Sequence, residues 1–199
     1  MTCAAQAARI LQPLVAPGET LLDAGCGGGY YYWSFSKRNI PIDYYGLDYT
    51  PEMIDLARSE ICPRAGLAPE RFALGAIEHL DDAFDNIICF NVLTNSPHYG
   101  LPLERLLACA RKRIVLRESL SDTSVVRFTA DPYLDEGKRH IHVYHNTYQR
   151  VEVVAFMEER GFDVTPVVDD RSGGRVEMVV DIPHYWGVLY GERRLSDAT

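Results

Sequence analysis

No stretch of the chain approaches the ~20 consecutive apolar residues that a membrane-spanning helix needs. Residues 1–9 lack the basic start and long apolar run of a secretory signal. The expectation is a cytoplasmic chain with no membrane partner. Cysteine is sparse: Cys3, Cys26, Cys62, Cys89 and Cys109 are scattered, with no Cys-x-x-Cys pair. That argues against a disulfide framework and against a structural zinc site. Positive charge is also short, with 20 Lys and Arg against 28 Asp and Glu and a formal net charge of −8. A nucleic-acid binder neutralises phosphates with a basic surface. The clusters 111–113 and 193–194 are too short for that, so no nucleic-acid partner is expected.

What the chain has is a hydrophobic fraction of 47% over 199 residues, enough to bury one sizeable core. It reads as a single domain, 1–199, organised around Leu21–Gly29. Leu21 and Leu22 end an apolar run, Asp23 follows, and Gly25, Gly27 and Gly29 stand at alternate positions. Glycine lets the backbone turn through dihedrals that a Cβ forbids, and lets a ligand lie against the main chain. Cys26, inside this loop, reads as a small packing residue. A second apolar run, Tyr44–Leu47, ends in Asp48. An acid at the tip of a second strand can accept hydrogen bonds from both ribose hydroxyls. A nicotinamide fingerprint needs Gly-x-Gly-x-x-Gly, but Tyr30 stands three residues after Gly27. The pattern suits a nucleoside that carries no phosphate.

The segment Leu21–Gly29 together with Tyr45–Ala57 (Tyr-Gly-Leu-Asp-Tyr-Thr-Pro-Glu-Met-Ile-Asp-Leu-Ala) resembles the class I S-adenosylmethionine-dependent methyltransferases. The resemblance of layout runs from Leu14 to about Asp181 and is specific in the first half. It implies that Asp23, Gly25, Gly27 and Gly29 hold the methionine portion of S-adenosyl-L-methionine and Asp48 the ribose. Tyr49, Ala76, Ile77 and Asn91 would complete the cofactor site, with S-adenosyl-L-homocysteine as product. The family usually has an aspartate where this chain has Ala76, so the backbone of Ile77, or Glu78, would have to meet the adenine. The implied fold is α/β: a Rossmann-like, seven-stranded, mostly parallel sheet with helices on both faces and an antiparallel last strand.

The rest of the chain fits that alternation. Helices are expected over 4–14, 30–38, 51–59, 103–110 and 151–160; strands over 72–74, 84–91 and 113–117, with a terminal pair at 164–169 and 175–182. Thr50-Pro51-Glu52 is a helix start, with an N-cap, a proline at the first position and an acid in the first turn. Residues 118–148 exceed a simple connection. Val125–Phe128 and His140–Tyr144 have strand character around a turn-prone 131–138, which predicts a small cap after strand five, over the mouth of the sheet.

Transfer to a hydroxyl calls for a general base, whereas an amine or carboxylate needs none. His98, just beyond the fourth strand, is the first candidate base. Glu118 is the second. Tyr99, Asp122, His140, His142 and Tyr144 are candidate acceptor-binding residues. His140, His142 and His145 have no acid or cysteine at ligand spacing, so no metal is expected. The resulting expectation is methylation of a small polar metabolite, on the oxygen of a sugar or secondary metabolite, by a monomer or homodimer. N-methylation of a small amine, and a non-catalytic S-adenosylmethionine-binding subunit, are the alternatives.

Overall fold

The computed structural model of the chain describes residues 2–130, 137 and 140–195. Helix α1 (Thr2–Leu11) buries Cys3, Ala4, Ala7, Ala8 and Leu11, a spacing of three and four that gathers them on one face. Strand β1 (Glu19–Ala24) buries Leu21, Leu22 and Ala24, as a strand covered on both sides must. The glycine loop leads to a short helix, α2 (Tyr32–Ser36), and then to β2 (Ile42–Asp48). Pro51 opens α3 (Pro51–Leu56), which does not continue regularly to Ser59. Residues 57–61 form a π-turn, closed by the Cys62 N–H on the Ala57 carbonyl, before α4 (Cys62–Ala65). Pro63 is the cause: it has no N–H for the Ser59 carbonyl, so the i to i−4 ladder cannot pass through.

Strand β3 (Phe72–Leu74), strand β4 (Phe84–Phe90), helix α5 (Gly100–Cys109) and strand β5 (Ala110–Ser121) continue the alternation. β5 outruns the expected 113–117, because every residue from Ile114 to Leu120 is buried. Residues 118–121 therefore belong to the sheet and not to a cap. Beyond them, β6 (Phe128–Ala130) and β7 (His142–Tyr144) pair as an antiparallel hairpin. Of the turn expected at 131–138, all but Gly137 lies outside the described residues. The two-residue β8 (Tyr148–Gln149) pairs with the end of β5, and α6 (Arg150–Glu159) leads into β9 (Phe162–Val168).

The chain's end corrects the sequence reading. Residues 175–182 do not pair with β9; β10 (Glu177–Val179) and β11 (Ile182–His184) form their own hairpin. The strand that joins the sheet is β12 (Trp186–Arg193), antiparallel to both β5 and β9. Packing decides this. Val188 and Leu189 are buried, whereas Val176 and Met178 are exposed. Gly191 leaves room that a Cβ would lack, 2.9 Å from Ile114 and Met157.

The main sheet has the order β3-β2-β1-β4-β5-β12-β9, with β8 attached to β5. It is a Rossmann-like α/β sheet, parallel except for β12. Alternate residues feed two cores, Leu22, Ile87 and Ile114 on one face and Leu21, Ile88 and Val115 on the other. The order reverses between β1 and β4, the switch point at which open α/β sheets bind ligands. Among the described residues, no helix is long and apolar enough to cross a membrane.

Candidate functional site

The glycine loop is locked in place by the residues around it. Gly25, Gly27 and Gly29 have φ of +78°, +50° and +72°, all in the left-handed region. A Cβ on Gly25 would lie 2.2 Å from Val92 Cγ2, and one on Gly29 would lie 2.6 Å from Phe72 Cε1. The N–H groups of Gly25 and Cys26 both donate to the Leu47 carbonyl, at 2.8 and 3.0 Å, which ties the loop to β2. Asp48 then fastens it from the strand tip: Oδ2 accepts the Gly27 N–H at 2.8 Å and Oδ1 the Thr50 N–H at 2.9 Å.

A cleft of about 820 Å³ opens over these tips. Gly25, Asp48, Tyr49, Ala76, Ile77 and Asn91 line it, and Glu78 adds a second acid. Asp23, Gly27 and Gly29 do not line it; they shape the loop from behind. Asp23 is buried and accepts the Tyr44 hydroxyl. Burial pushes its carboxyl up to about 7, with the Tyr44 hydrogen bond pulling down and the Asp48 charge pushing up.

Beneath the cleft lies a charge network that the sequence reading missed. Arg117 on β5 is buried and forks onto Asp169, Nε to Oδ1 at 2.7 Å and Nη2 to Oδ2 at 3.1 Å. Its Nη1 donates to Asn91 Oδ1, and its guanidinium lies 4.4 Å from the Trp186 ring centroid. This contact holds Asn91, at φ +60°, on the tip of β4. Burial opposes ionisation of Asp169, yet Arg117 and the Ser172 N–H hold its carboxyl below the usual range. An arginine inside an apolar strand is the one local signal for such a network. Its partner, 52 residues on, is found only through the sheet order.

Glu118 is not at the mouth. It is 2% exposed, and its carboxylate accepts three backbone N–H groups: Val92 and Leu93 on Oε1 at 3.1 Å each, Thr94 on Oε2 at 2.8 Å. Burial pushes its carboxyl up to about 7 against the pull of those donors. Its place is that of an anchor for the 92–94 turn, because β5 runs on past it. His98 also departs from expectation. It is exposed outside the cleft, its Nδ1 accepts the Gly100 N–H at 2.8 Å, and its ring stacks on Tyr99. An N–H can only donate, so neutral His98 carries its proton on Nε2 and has no lone pair left to act as a base. Tyr99 is turned to the core, edge-on to Tyr148 and Phe156. Asp122 is exposed beyond β5, away from the cleft, and His140 is exposed and reaches the site only through its carbonyl.

His142 and Tyr144 do line the cleft, with Phe128 from the facing strand and the buried His145. His142 Nδ1 lies 3.1 Å from the His140 carbonyl oxygen. Among the described residues, no group of three His, Cys, Asp or Glu could hold a metal ion.

A glycine loop on β1, an acid on the tip of β2 and a cleft at the β1/β4 switch point form the arrangement in which open α/β sheets bind ligands. The chain belongs to the methyltransferase domain family, whose model matches residues 16–153. It is 32% identical over 134 residues to malonyl-(acyl-carrier protein) O-methyltransferase of Serratia marcescens, covering 64% of this chain and 49% of that protein. It is 37% identical over 84 residues to arsenite methyltransferase of Halobacterium salinarum, covering 41% of this chain and 21% of that protein. The matches thus span half or less of the length of these curated relatives. Among solved structures it resembles magnesium protoporphyrin IX methyltransferase of Synechocystis with bound S-adenosylhomocysteine, at a TM-score of 0.66 and 19% identity, covering 96% of this chain and 81% of that one. It also resembles the 1,6-didemethyltoxoflavin-N1-methyltransferase of Burkholderia thailandensis, at a TM-score of 0.63 and 20% identity, covering 98% and 80%. At these identities the likeness is one of fold.

Proposed function

We propose that the chain binds S-adenosyl-L-methionine in this cleft and transfers its methyl group to the oxygen of a small hydroxylated molecule held under the β6–β7 hairpin, which caps a single domain. The observation that carries the reading is Asp48. A carboxylate offers about four acceptor positions, and the loop takes two of them, one on each oxygen. The two that remain suit the two ribose hydroxyls. The loop fits the same ligand: Gly25 lines the cleft and presents backbone there with no side chain to keep a ligand off. S-adenosylmethionine, when bound, supplies an activated methyl on a good leaving group. The protein's part is positioning, which can contribute on the order of 7–11 kcal/mol.

The test is calorimetry with S-adenosylmethionine. Asp48→Ala removes a charged acceptor worth about 1.5–3 kcal/mol, so affinity should fall roughly 10- to 150-fold. Equal affinity in the variant, or no binding by the wild type, refutes the reading.

A further inference from the structure

We propose that the acceptor carries its hydroxyl on an aromatic ring laid against Phe128 and Tyr144, and that His142 Nε2 takes the hydroxyl proton. The proposal rests on the reading of the cleft as an S-adenosylmethionine site. Phe128 and Tyr144 stand directly opposite each other across the hairpin ladder, with ring centroids 4.4 Å apart, and the Phe128 and His142 rings are 5.4 Å apart. His142 and Tyr144 alternate along β7 and so share that face. All three line the cleft, yet Phe128 is 57% exposed. An uncovered ring in the wall of a cleft is a surface that a second ring can cover by stacking. A polyol laid there would leave hydroxyls against an apolar face without partners. This departs from the polar acceptor expected from the histidine and tyrosine content.

The tautomer selects the base. The His140 carbonyl can only accept, so His142 Nδ1 carries the proton in that hydrogen bond, and the neutral ring keeps its lone pair on Nε2. His98 has the opposite tautomer and stands outside the cleft. In the transfer, the acceptor oxygen gives its proton to His142 Nε2 and its electron pair to the methyl carbon. The bond from that carbon to sulfur breaks, and sulfur keeps the pair. His142, now an imidazolium, returns the proton to solvent. The ionisable side chains of Asp48, Tyr49, Glu78, Tyr144 and His145 line the same cleft, and Arg127 and His140 adjoin the hairpin strands. Profiles must therefore be compared between wild type and His142→Gln.

The first measurement is long-range ¹⁵N–¹H NMR of the full chain, with peaks assigned from His142→Gln and His98→Gln. Neutral His142 should show the Nδ1–H tautomer and His98 the Nε2–H tautomer. Calorimetry on protein saturated with S-adenosylhomocysteine should then show binding of phenol, catechol or 2-naphthol but not of cyclohexanol. Phe128→Ala should weaken that binding about two- to tenfold while leaving S-adenosylhomocysteine affinity unchanged. With a bound phenol as acceptor, His142→Gln should lower kcat by ~10²–10⁴ and flatten the acid limb of the pH profile, and His98→Gln should do neither. An Nε2–H tautomer at His142, equal affinity for cyclohexanol, no binding or methylation of any phenol, or a full rate in His142→Gln would each overturn the proposal. Failure of the wild type to bind S-adenosylhomocysteine would instead sink the reading of the cleft itself.

Discussion

Replacing Glu118 with alanine should destabilise the fold in a way that depends on pH, and the structure sets both the size and the sign. Three backbone N–H groups, of Val92, Leu93 and Thr94, lose their acceptor at once, those of Leu93 and Thr94 in buried hydrogen bonds and that of Val92 in a part-buried one. An orphaned buried donor costs about 1–3 kcal/mol; taking about 1–2 for each gives about 3–6 kcal/mol. For a chain of 199 residues that corresponds to a fall in Tm of roughly 6–24 °C. Burial raises the Glu118 carboxyl from its ordinary value of 4.5 to about 7. The folded state therefore holds the proton more tightly than the unfolded chain. The contribution from this linkage is fully present below the unfolded pKa and is lost as pH rises through the folded one. Wild type should thus give up about 2–3 kcal/mol of its advantage over Glu118→Ala between pH 5 and pH 8. Urea unfolding followed by circular dichroism at both values measures this directly. A loss below about 1 kcal/mol at pH 5, or a penalty that grows toward pH 8, would refute the reasoning, given the usual scale for an orphaned donor.

Arg117→Met should cost about 3–5 kcal/mol, because Asp169 is left ionised and buried with only the Ser172 N–H; adding Asp169→Leu should recover part of it, and additive losses would count against the pair. Asp23, raised to about 7 by burial, contributes stability that is present below its unfolded pKa and lost as pH rises through 7. Asp23→Asn keeps an acceptor for Tyr44, so its stability relative to wild type should improve from pH 5 to pH 8, and a difference that ignores pH would rule this out. Gly25→Ala forces a Cβ to within 2.2 Å of Val92 at a φ of +78°. Strain and overpacking of this kind cost about 1–3 kcal/mol, and binding of S-adenosylmethionine should fall with it; an unchanged Tm and affinity would show that the loop yields freely.

The parts of the fold that were legible in the sequence are those that local chemistry dictates. Three glycines that must take positive φ, a strand ending in an acid, and a proline after a threonine each announce themselves within a few residues. The positions that eluded it depend on contacts between distant segments. Residues 175–182 and 186–193 both carry strand-like apolar runs, and only the space beside β5 and Met157 decides which one enters the sheet. Glu118 follows an apolar strand, and its sequence cannot say whether the strand has already ended. The strand runs on to Ser121, so the side chain falls inside, under the 92–94 turn. His98 was legible in principle: a side-chain acceptor two residues before Gly100, at the head of α5, is a familiar partner for an orphan helix N–H.

The two walls of the cleft are built to different standards. The β1, β2 and β4 tips are fastened by Asp48 and by the Arg117–Asn91 contact, so a shift there breaks a charge-assisted hydrogen bond. The hairpin wall is held mainly by backbone pairing and by Asn146, which accepts the Arg127 N–H and donates to the Ser96 carbonyl. Val126, Phe128 and Ile141 stay exposed. A segment with little apolar burial opens at low free energy. An enzyme of this family must admit and release an acceptor while its cofactor loop keeps one geometry. In the function proposed above, the low-stability element stands on the acceptor side, which separates those two demands. On that proposal, residues of the hairpin can change the acceptor without disturbing the glycine loop.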